Sequence, residues 1–378
     1  MKLIHCADIH LNSSLSTHLD GDKQKQRRTE ILHTFLRMVD YAAEQSVDGI
    51  LIAGDLFDTK KVDRATGNAV LSAITGHPEI LFFYLRGNHD ADGFLQSLDE
   101  IPDNLKLFGD TWRYYAWEED GATIVITGAE SSARNAQTLY TSLRLNPKHI
   151  NLVMLHGQET PYASGAGRDA EQIPLALLQN KGIDYLALGH IHTYKREQLD
   201  ARGIYVYPGC LEGRGFDECG IHGFCLLEVD VAHHKIQDTF VPFASRRLWE
   251  ASVDVSVCAS GVDILDAIKE TLQEMQVQTA DLVKVCLTGS LPVGVEVDTD
   301  LLAMQLSQIY FYAKVVDHTV PEIDYAAYMY DASLKGEFVR LVQAQTDLSD
   351  EEKAKIIQTG ILAVSYTHLR AHETRHDL

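Results

Sequence analysis

Basic residues are scarce in this chain of 378 residues, in which 33 Lys and Arg stand against 54 Asp and Glu, a formal net charge of −21. The deficit is steepest in residues 250–335, which carry 14 acidic residues against 4 basic ones. Non-specific affinity for nucleic acid comes from Lys and Arg placed on phosphates. The composition therefore excludes a protein that coats nucleic acid electrostatically. A protein of this charge that acts on phosphate groups needs bound cations or a partner.

Long apolar runs and cysteine motifs are also lacking. No run approaches the roughly 20 apolar residues of a membrane-spanning helix, and Met1-Lys2 leads directly into a strand-like segment rather than a signal peptide. The six cysteines show no Cys-x-x-Cys spacing, and most of them lie in apolar runs. We therefore expect free buried thiols in a reducing compartment, and a cytoplasmic protein without membrane contact.

Polar residues suited to metal binding follow five short apolar runs. The motifs are Asp8-Ile9-His10, Gly54-Asp55-Leu56-Phe57-Asp58, Gly87-Asn88-His89-Asp90, His156-Gly157 and Gly189-His190-Ile191-His192. Short apolar runs that end in Gly, Asp and His indicate buried strands delivering polar groups to a sheet edge. In open α/β sheets, ligands bind at that carboxyl-end edge. One such motif is a weak signal, whereas five in one chain are a strong one.

The residue types in these motifs predict a two-metal site. The candidate ligands are Asp8, His10, Asp55, Asn88, His156, His190 and His192. Neutral imidazole and carboxylate suit Mn, Fe or Zn. Two ions about 3.5–4 Å apart need a bridging ligand, and Asp55 is our candidate because a carboxylate offers two oxygens. A single histidine at a strand end is more often a hydrogen-bonded structural group, so the interpretation depends on the complete set.

The five motifs resemble those of the calcineurin-like metallophosphoesterases, and residues 4–11 and 207–214 are most similar to the SbcD-type DNA-repair exonucleases. The resemblance covers residues 1–245 well and 246–363 loosely. It implies two ligand sets that share one residue: Asp8, His10, Asp55 and His192 for one metal, and Asp55, Asn88, His156 and His190 for the other. It also implies that His89 is the catalytic histidine beside the scissile phosphate.

Three further residues are candidates for supporting roles. Asp58 and Asp90 are more typical of groups that orient metal ligands than of ligands themselves. Arg214 lies in a Gly-rich loop, where it would contact phosphate or, about as often, form a surface salt bridge.

The resemblance implies a two-metal-dependent phosphodiesterase, with Mn²⁺ as the expected metal, that acts on DNA as an exonuclease with some single-strand endonuclease activity. It further implies a large coiled-coil ATPase as partner, and it allows a homodimer. An alternative is a phosphoesterase that acts on nucleotides or other small phosphate esters with the same metals. A third hypothesis is a scaffold subunit with an idle site, which the complete ligand set disfavours.

The expected fold is a two-sheet α/β metallophosphoesterase sandwich flanked by helices over residues 1–245. The pattern of residues 246–330 predicts a small βαβαβ domain that would cap the active site. The pattern of residues 331–363 predicts helices that would dock a partner. Residues 364–378 read like a translated sequencing adapter. We therefore assign no function to His368, His372 and His376, although their spacing would align them on a helix.

Overall fold

The computed structural model describes residues 1–361 except 14, 16–18, 59–61, 91–92, 120, 133, 137, 162–170, 293–294, 323–327, 350–351, 354 and 358. The chain divides into two compact units between Trp249 and Glu250. The prediction for residues 364–378 lies outside the described residues. No helix in the described part of the chain has the length and apolar character needed to span a membrane.

The first unit contains two six-stranded sheets. The first sheet comprises β1 (Lys2–Cys6), β2 (Gly49–Ala53), β3 (Leu81–Leu85), β4 (Leu105–Leu107), β13 (Gly223–Asp230) and β14 (Lys235–Pro242), in the order β14-β13-β1-β2-β3-β4. The second comprises β5 (Arg113–Glu119), β6 (Ala122–Gly128), β7 (Ile150–His156), β10 (Tyr185–Gly189), β11 (Lys195–Gln198) and β12 (Ile204–Tyr207), in the order β11-β12-β10-β7-β6-β5. Strands β1, β2 and β3 are parallel to one another, as are β7 and β10. The carboxyl ends of each parallel set therefore lie at one edge of its sheet.

Helices and a small strand pair complete this unit. They are α1 (Gly21–Glu44), α2 (Arg64–Gly76), α3 (Gly93–Gln96), α4 (Leu139–Ser142), the 3₁₀ helix Leu175–Leu177, and β8 (Gln158–Thr160) paired with β9 (Gln172–Pro174). Asp20 caps α1, its side chain accepting a hydrogen bond from the backbone N–H of Lys23. In the sequence, residues 24–45 carry apolar residues at helical spacing, which predicts an amphipathic helix, and all five are buried: Ile31, Phe35, Met38, Val39 and Ala42. The amphipathic helix expected from their spacing is thus confirmed.

Alternate residues of the central strands enter different cores. Leu3 of β1 and Phe83 of β3 pack with Leu152 of β7 in the core between the two sheets. Ile4 of β1, by contrast, packs with Phe35 of α1 on the outer face of the first sheet. Burial of each such side chain contributes about 1.5–3 kcal/mol. The predicted sandwich of two sheets with helices outside is confirmed, and its rigid strands fix the positions of the loops that follow them.

The second unit contains the predicted β-α-β-α-β order. Its elements are most of β15 (Leu248–Asp254), which begins two residues before the division, α5 (Gly261–Glu274), β16 (Leu282–Thr288), α6 (Thr299–Leu306) and β18 (Tyr312–Asp317), with β17 (Ser290–Leu291) paired to β19 (Val320–Pro321). Strands β15, β16 and β18 form one sheet in that order. Helix α7 (Leu334–Gln343) follows, and residues 352–353, 355–357 and 359–361 are helical. The roles of these segments as a cap and as a docking element stay predictions.

Candidate metal centre

The five motifs lie at the carboxyl ends of strands in both sheets. Asp8 and His10 follow β1, Asp55 follows β2, Asn88 and His89 follow β3, His156 is the last residue of β7, and His190 and His192 follow β10. The potential ligand atoms of Asp8, His10 and His192 lie within 4.8 Å of one another, and so do those of Asp8, Asp55 and His156. The fold thus brings to one place residues that are distant in sequence and belong to two different sheets.

The backbone is strained at four of the seven candidate ligands. The φ angle is 51° at Asp8, 50° at His10, 52° at Asp55 and 109° at His190. Positive φ values of this kind disfavour residues with a side chain by about 1–3 kcal/mol each. Such strain persists only where the surrounding structure holds it, and it clusters at functional sites. Four of the ten non-glycine residues with positive φ in the described part of the chain are thus candidate ligands.

Two motif glycines are required by close approach of other groups. Gly54 has φ 95°, and a Cβ on it would lie 2.6 Å from Cγ of His156. A Cβ on Gly87 would lie 2.7 Å from the backbone nitrogen of Asp55. Real Cβ atoms do not approach other heavy atoms this closely, so a side chain at either position would displace a candidate ligand. The glycines of these motifs hence serve the geometry of the site.

The first half of the site, as we call it, comprises Asp8, His10 and His192. It also includes Asp58 and Glu218, whose carboxylates accept hydrogen bonds from the two imidazole rings. Asp58 Oδ1 lies 3.0 Å from Nδ1 of His10, and Glu218 Oε1 lies 2.7 Å from Nδ1 of His192. Burial lowers the pKa of His10, against the opposing effect of Asp58. The pKa of His192 is raised, because Glu218 outweighs the effect of burial.

The first half fits a cation. The two Nε2 atoms of His10 and His192 lie 3.1 Å apart. When each Nδ1–H donates to its carboxylate, each Nε2 carries a lone pair, so the lone pairs converge beside the buried carboxylate of Asp8. Carboxylate–histidine pairs that direct Nε2 to a common point are typical of metal sites. The donor set suits a divalent ion of the Mn, Fe or Zn type.

We call Asn88, His156 and His190 the second half. Nδ1 of His156 donates to the carbonyl oxygen of Ala53 at 2.9 Å, and its Nε2 lies 2.9 Å from Asn88 Oδ1. Burial alone would lower the pKa of His156, but Asp55 and Asp8 raise it to about 9. The carboxylates near this ring therefore favour the positively charged form of the imidazole. His190 lies against His156 with the rings edge to face, 5.4 Å between centroids.

Asp55 lies between the two halves. Its Oδ2 is 3.8 Å from Nε2 of His10 and 3.4 Å from Nε2 of His156. Its Oδ1 accepts the backbone N–H of His89 at 2.9 Å. Burial alone would raise the pKa of Asp55, but His156 and His10 lower it well below its ordinary value, so the carboxylate is ionised. This is the placement that a bridging carboxylate requires.

Asp58 and Asp90 have different surroundings. Asp58 Oδ1 contacts two imidazoles, those of His10 at 3.0 Å and His89 at 3.2 Å. Asp90 instead accepts backbone N–H groups, from Phe57 at 2.8 Å and Gly87 at 3.0 Å. Burial raises the pKa of Asp90 to about 6, in spite of these hydrogen bonds. Asp58 therefore orients side chains, and Asp90 ties the loop after β2 to the loop after β3.

His89 and Arg214 differ in exposure, although both lie beside the first half. The side chain of His89 is 50% exposed, with its ring edge to face against His10. The guanidinium of Arg214 donates to Glu218, with 2.6 Å between Nη2 and Oε1. His89 is thus accessible to a substrate. Arg214 is engaged in an ion pair, and a phosphate contact by Arg214 stays a prediction.

The sequence patterns missed Glu218 and the carbonyl of Ala53. Glu218 is 8% exposed and lies outside all five motifs. A ligating histidine needs a partner for its other nitrogen, which predicts some acceptor near His192 but does not identify it.

A cavity of about 200 Å³ lies beside the second half, and its lining includes Arg86, Asn88, Glu130, His156 and Glu171.

The fold and this cluster define the class of a metal-dependent phosphoesterase. The model of the calcineurin-like phosphoesterase family matches residues 1–194. The chain therefore belongs to the calcineurin-like phosphoesterase family, and candidate metal-binding groups of the kind this family needs are present at its strand ends.

The chain is similar to several individual proteins. It is 29% identical over 307 residues to the uncharacterized metallophosphoesterase YhaO of Bacillus subtilis, covering 77% of this chain and 72% of that protein. It is 26% identical over 256 residues to the DNA double-strand break repair protein Mre11 of Methanopyrus kandleri, covering 61% of this chain and 54% of that protein. The chain thus spans about half the length of that relative. The crystal structure of TT1561 of Thermus thermophilus matches with a TM-score of 0.41 and 16% identity, covering 63% of this chain and 98% of that one.

Proposed function

We propose that this chain is a two-metal phosphodiesterase that cleaves DNA. The observation that carries the proposal is the convergence of carboxylate, imidazole and amide groups from five strand ends. The ligands of one ion would be Asp8, His10, Asp55 and His192, and those of the other would be Asp55, Asn88, His156 and His190. Divalent ions held there activate water and stabilise negative charge on phosphoryl oxygens.

The residues of the chain itself supply the remaining chemistry. Asp55 would be shared, because one of its oxygens faces both halves. Asp58 engages Nδ1 of His89 at 3.2 Å, which leaves Nε2 as the nitrogen available to a phosphate oxygen. We assign His89 to phosphate positioning or to protonation of the leaving oxygen.

The relatives support DNA as the substrate. They include the Mre11 protein, which is named for DNA double-strand break repair.

The proposal includes Mn²⁺ as the metal, a cytoplasmic location and a coiled-coil ATPase as partner. With a net charge of −21, the chain lacks the basic surface that would hold long DNA by itself. A partner that presents the DNA removes this difficulty. Residues 331–363 are the segment that we propose for docking, because α7 exposes Leu334 and Leu341.

The same charge favours a second candidate function. A phosphoesterase for nucleotides or other small phosphate esters needs no basic surface, because the bound cations alone attract one phosphate group. The two candidates differ in substrate and share the metal centre.

The test is an assay of the full chain with linear duplex, single-stranded and circular DNA, with nucleotides, and with bis(p-nitrophenyl) phosphate, each with Mn²⁺, Mg²⁺ or Zn²⁺. We expect metal-dependent cleavage of linear and single-stranded DNA. The inactive control is Asp55→Ala. The matched control is Asp103→Ala, because Asp103 is exposed and precedes β4, at the edge of the sheet opposite to the ligands. Hydrolysis of nucleotides without cleavage of any DNA would favour the second candidate and contradict the first.

A further inference from the structure

Arg214 lies behind the first half of the site, and its surroundings differ from those of an arginine that binds substrate. Its backbone N–H donates to Glu218 Oε2 at 2.8 Å, and its Nη2 donates to Oε1 at 2.6 Å. Its Nη1 lies 3.7 Å from Asp58 Oδ1. The side chain is only 15% exposed. The guanidinium is therefore hydrogen-bonded to Glu218, with Asp58 as a second, more distant carboxylate.

These two carboxylates are the ones that hold the facing imidazoles. Asp58 accepts from Nδ1 of His10 at 3.0 Å, and Glu218 accepts from Nδ1 of His192 at 2.7 Å. A planar guanidinium binds carboxylates with a fixed fork geometry, which a flexible ammonium does not provide. Arg214 thus holds Glu218 by direct hydrogen bonds and Asp58 by a longer ion pair, and through these carboxylates it acts on both rings.

The hydrogen-bond polarity agrees with this arrangement. Nη2 of Arg214 lies 3.1 Å from Nδ1 of His192. An ionised carboxylate only accepts hydrogen bonds, and Glu218 Oε1 lies 2.7 Å from Nδ1 of His192 and 2.6 Å from Nη2 of Arg214. Both nitrogens therefore donate to the same oxygen, which explains why they lie near each other. Nδ1 then carries the proton of His192, and Nε2 carries the lone pair that a metal ligand needs.

We propose that Arg214, Glu218 and Asp58 form a positioning hub that sets the orientation and tautomer of His10 and His192. In this assignment Arg214 acts through the two carboxylates and does not contact the substrate phosphate. The inference rests on the metal centre of the proposed function, and it goes beyond that function by assigning two residues outside the ligand motifs.

The experiment is a calorimetric titration of the full chain with Mn²⁺, on the wild-type protein and on Arg214→Ala, Arg214→Lys, Glu218→Gln and the double variant Arg214→Ala/Glu218→Gln. We expect Arg214→Ala and Glu218→Gln each to weaken one Mn²⁺ site by about 10–100-fold, the usual effect of losing a group that orients a ligand. The other site should keep its affinity. The double variant should bind Mn²⁺ no more weakly than whichever single variant binds it less tightly, because one residue acts through the other.

A second readout separates the hub from a substrate contact. At saturating Mn²⁺, the KM of Arg214→Ala for bis(p-nitrophenyl) phosphate should equal that of the wild-type protein. A raised KM with unchanged Mn²⁺ affinity would place Arg214 on the substrate and overturn the hub. Arg214→Lys keeps the charge without the fork, so its fold should persist while its Mn²⁺ affinity falls.

The matched control is Arg202→Ala. Arg202 also forms a close ion pair, with Nη2 2.8 Å from Oδ2 of Asp184. Asp184 directly precedes β10 and thus lies at the opposite end of that strand from His190. We expect this variant to lower the melting temperature and to leave Mn²⁺ affinity unchanged. If Arg214→Ala and Glu218→Gln behave like Arg202→Ala, the hub is wrong although the metal centre stands. If the wild-type protein binds no Mn²⁺ at all, the metal centre itself is wrong.

Discussion

The two halves of the site hold their histidines in different ways. In the first half, Nδ1 of His10 and His192 donates to the side-chain carboxylates of Asp58 and Glu218. In the second half, Nδ1 of His156 donates to the backbone carbonyl of Ala53. A carboxylate partner makes an imidazole a more basic ligand than a neutral carbonyl does. The first half therefore depends on distant side chains, whereas the orienting group of the second half belongs to the sheet itself.

This difference predicts different sensitivity to mutation. We expect that the side chains that orient the first half can be removed singly, which would alter its metal affinity without loss of the fold. The carbonyl that orients His156 belongs to the last residue of β2 and remains whatever side chain is placed there. Asp55 is the exception, because it faces both halves. The predictions below run from the largest expected effect to the smallest.

Asp55→Ala removes the carboxylate whose Oδ2 lies near Nε2 of both His10 and His156. We expect loss of at least one metal ion per chain and of nearly all phosphodiesterase activity, because the bridging oxygen is lost. Elemental analysis of the purified variant measures the metal content. Two ions per chain together with normal turnover would refute the assignment of Asp55 as a bridge.

His89→Ala tests a residue that contacts the first half without belonging to either ligand set. We expect both metals to remain bound while turnover falls by about 10²–10⁴-fold, the usual contribution of a positioned acid–base group. The measurement is kcat at saturating metal, together with metal content. Loss of a metal ion would move His89 into the ligand set and contradict its catalytic role.

Gly87→Ala tests the close approach between the second half and Asp55. A Cβ at Gly87 would lie 2.7 Å from the backbone nitrogen of Asp55. We expect a loss of about 1–3 kcal/mol in the free energy of unfolding, as for other overpacked sites, and reduced metal binding. Chemical denaturation measures the first effect and calorimetry the second.

Gly67→Ala is the matched control for Gly87→Ala. In α2, a Cβ at Gly67 would meet its nearest neighbour at 3.6 Å, an ordinary contact. We expect the free energy of unfolding of this variant to rise by about 0.5–1 kcal/mol, because glycine destabilises a helix interior relative to alanine. Equal effects of the two substitutions would show that close approach at Gly87 does not matter.

Deletion of residues 364–378 should have the smallest effect. If this segment derives from an adapter, we expect the melting temperature, the metal content and the phosphoesterase rate to stay unchanged, because both halves are formed by strand ends of the first unit. A fall in metal stoichiometry would instead indicate that His368, His372 and His376 form a further metal site.

The candidate ligands were more predictable from the sequence than the residues that orient them. Each ligand motif follows a buried apolar run, so His156 and His190 can be recognised locally and expected at one sheet edge. Asp58 and Asp90 were found because they lie inside the same motifs. Glu218 lies 26 residues beyond His192, in a segment without periodicity, and only the tertiary fold brings its carboxylate to the ring.

The same distinction holds for the fold. The periodicity of α1 and the β-α-β-α-β order of the second unit were predictable, because they depend on local patterns. The order of strands in the two sheets depends on pairings such as that between β1 and β13, which lie near opposite ends of the first unit in sequence. No local pattern encodes such a pairing. The carbonyl of Ala53 is a backbone group and leaves no signal in residue identity.

The most direct test of this account is a crystal structure of the protein with Mn²⁺, with anomalous scattering used to locate the ions. We predict two peaks about 3.5–4 Å apart with Asp55 between them. One peak should lie at Nε2 of His10 and His192, and the other at Asn88 and His156. A single peak, or ions bound away from these strand ends, would contradict the two-metal centre on which the proposed function depends.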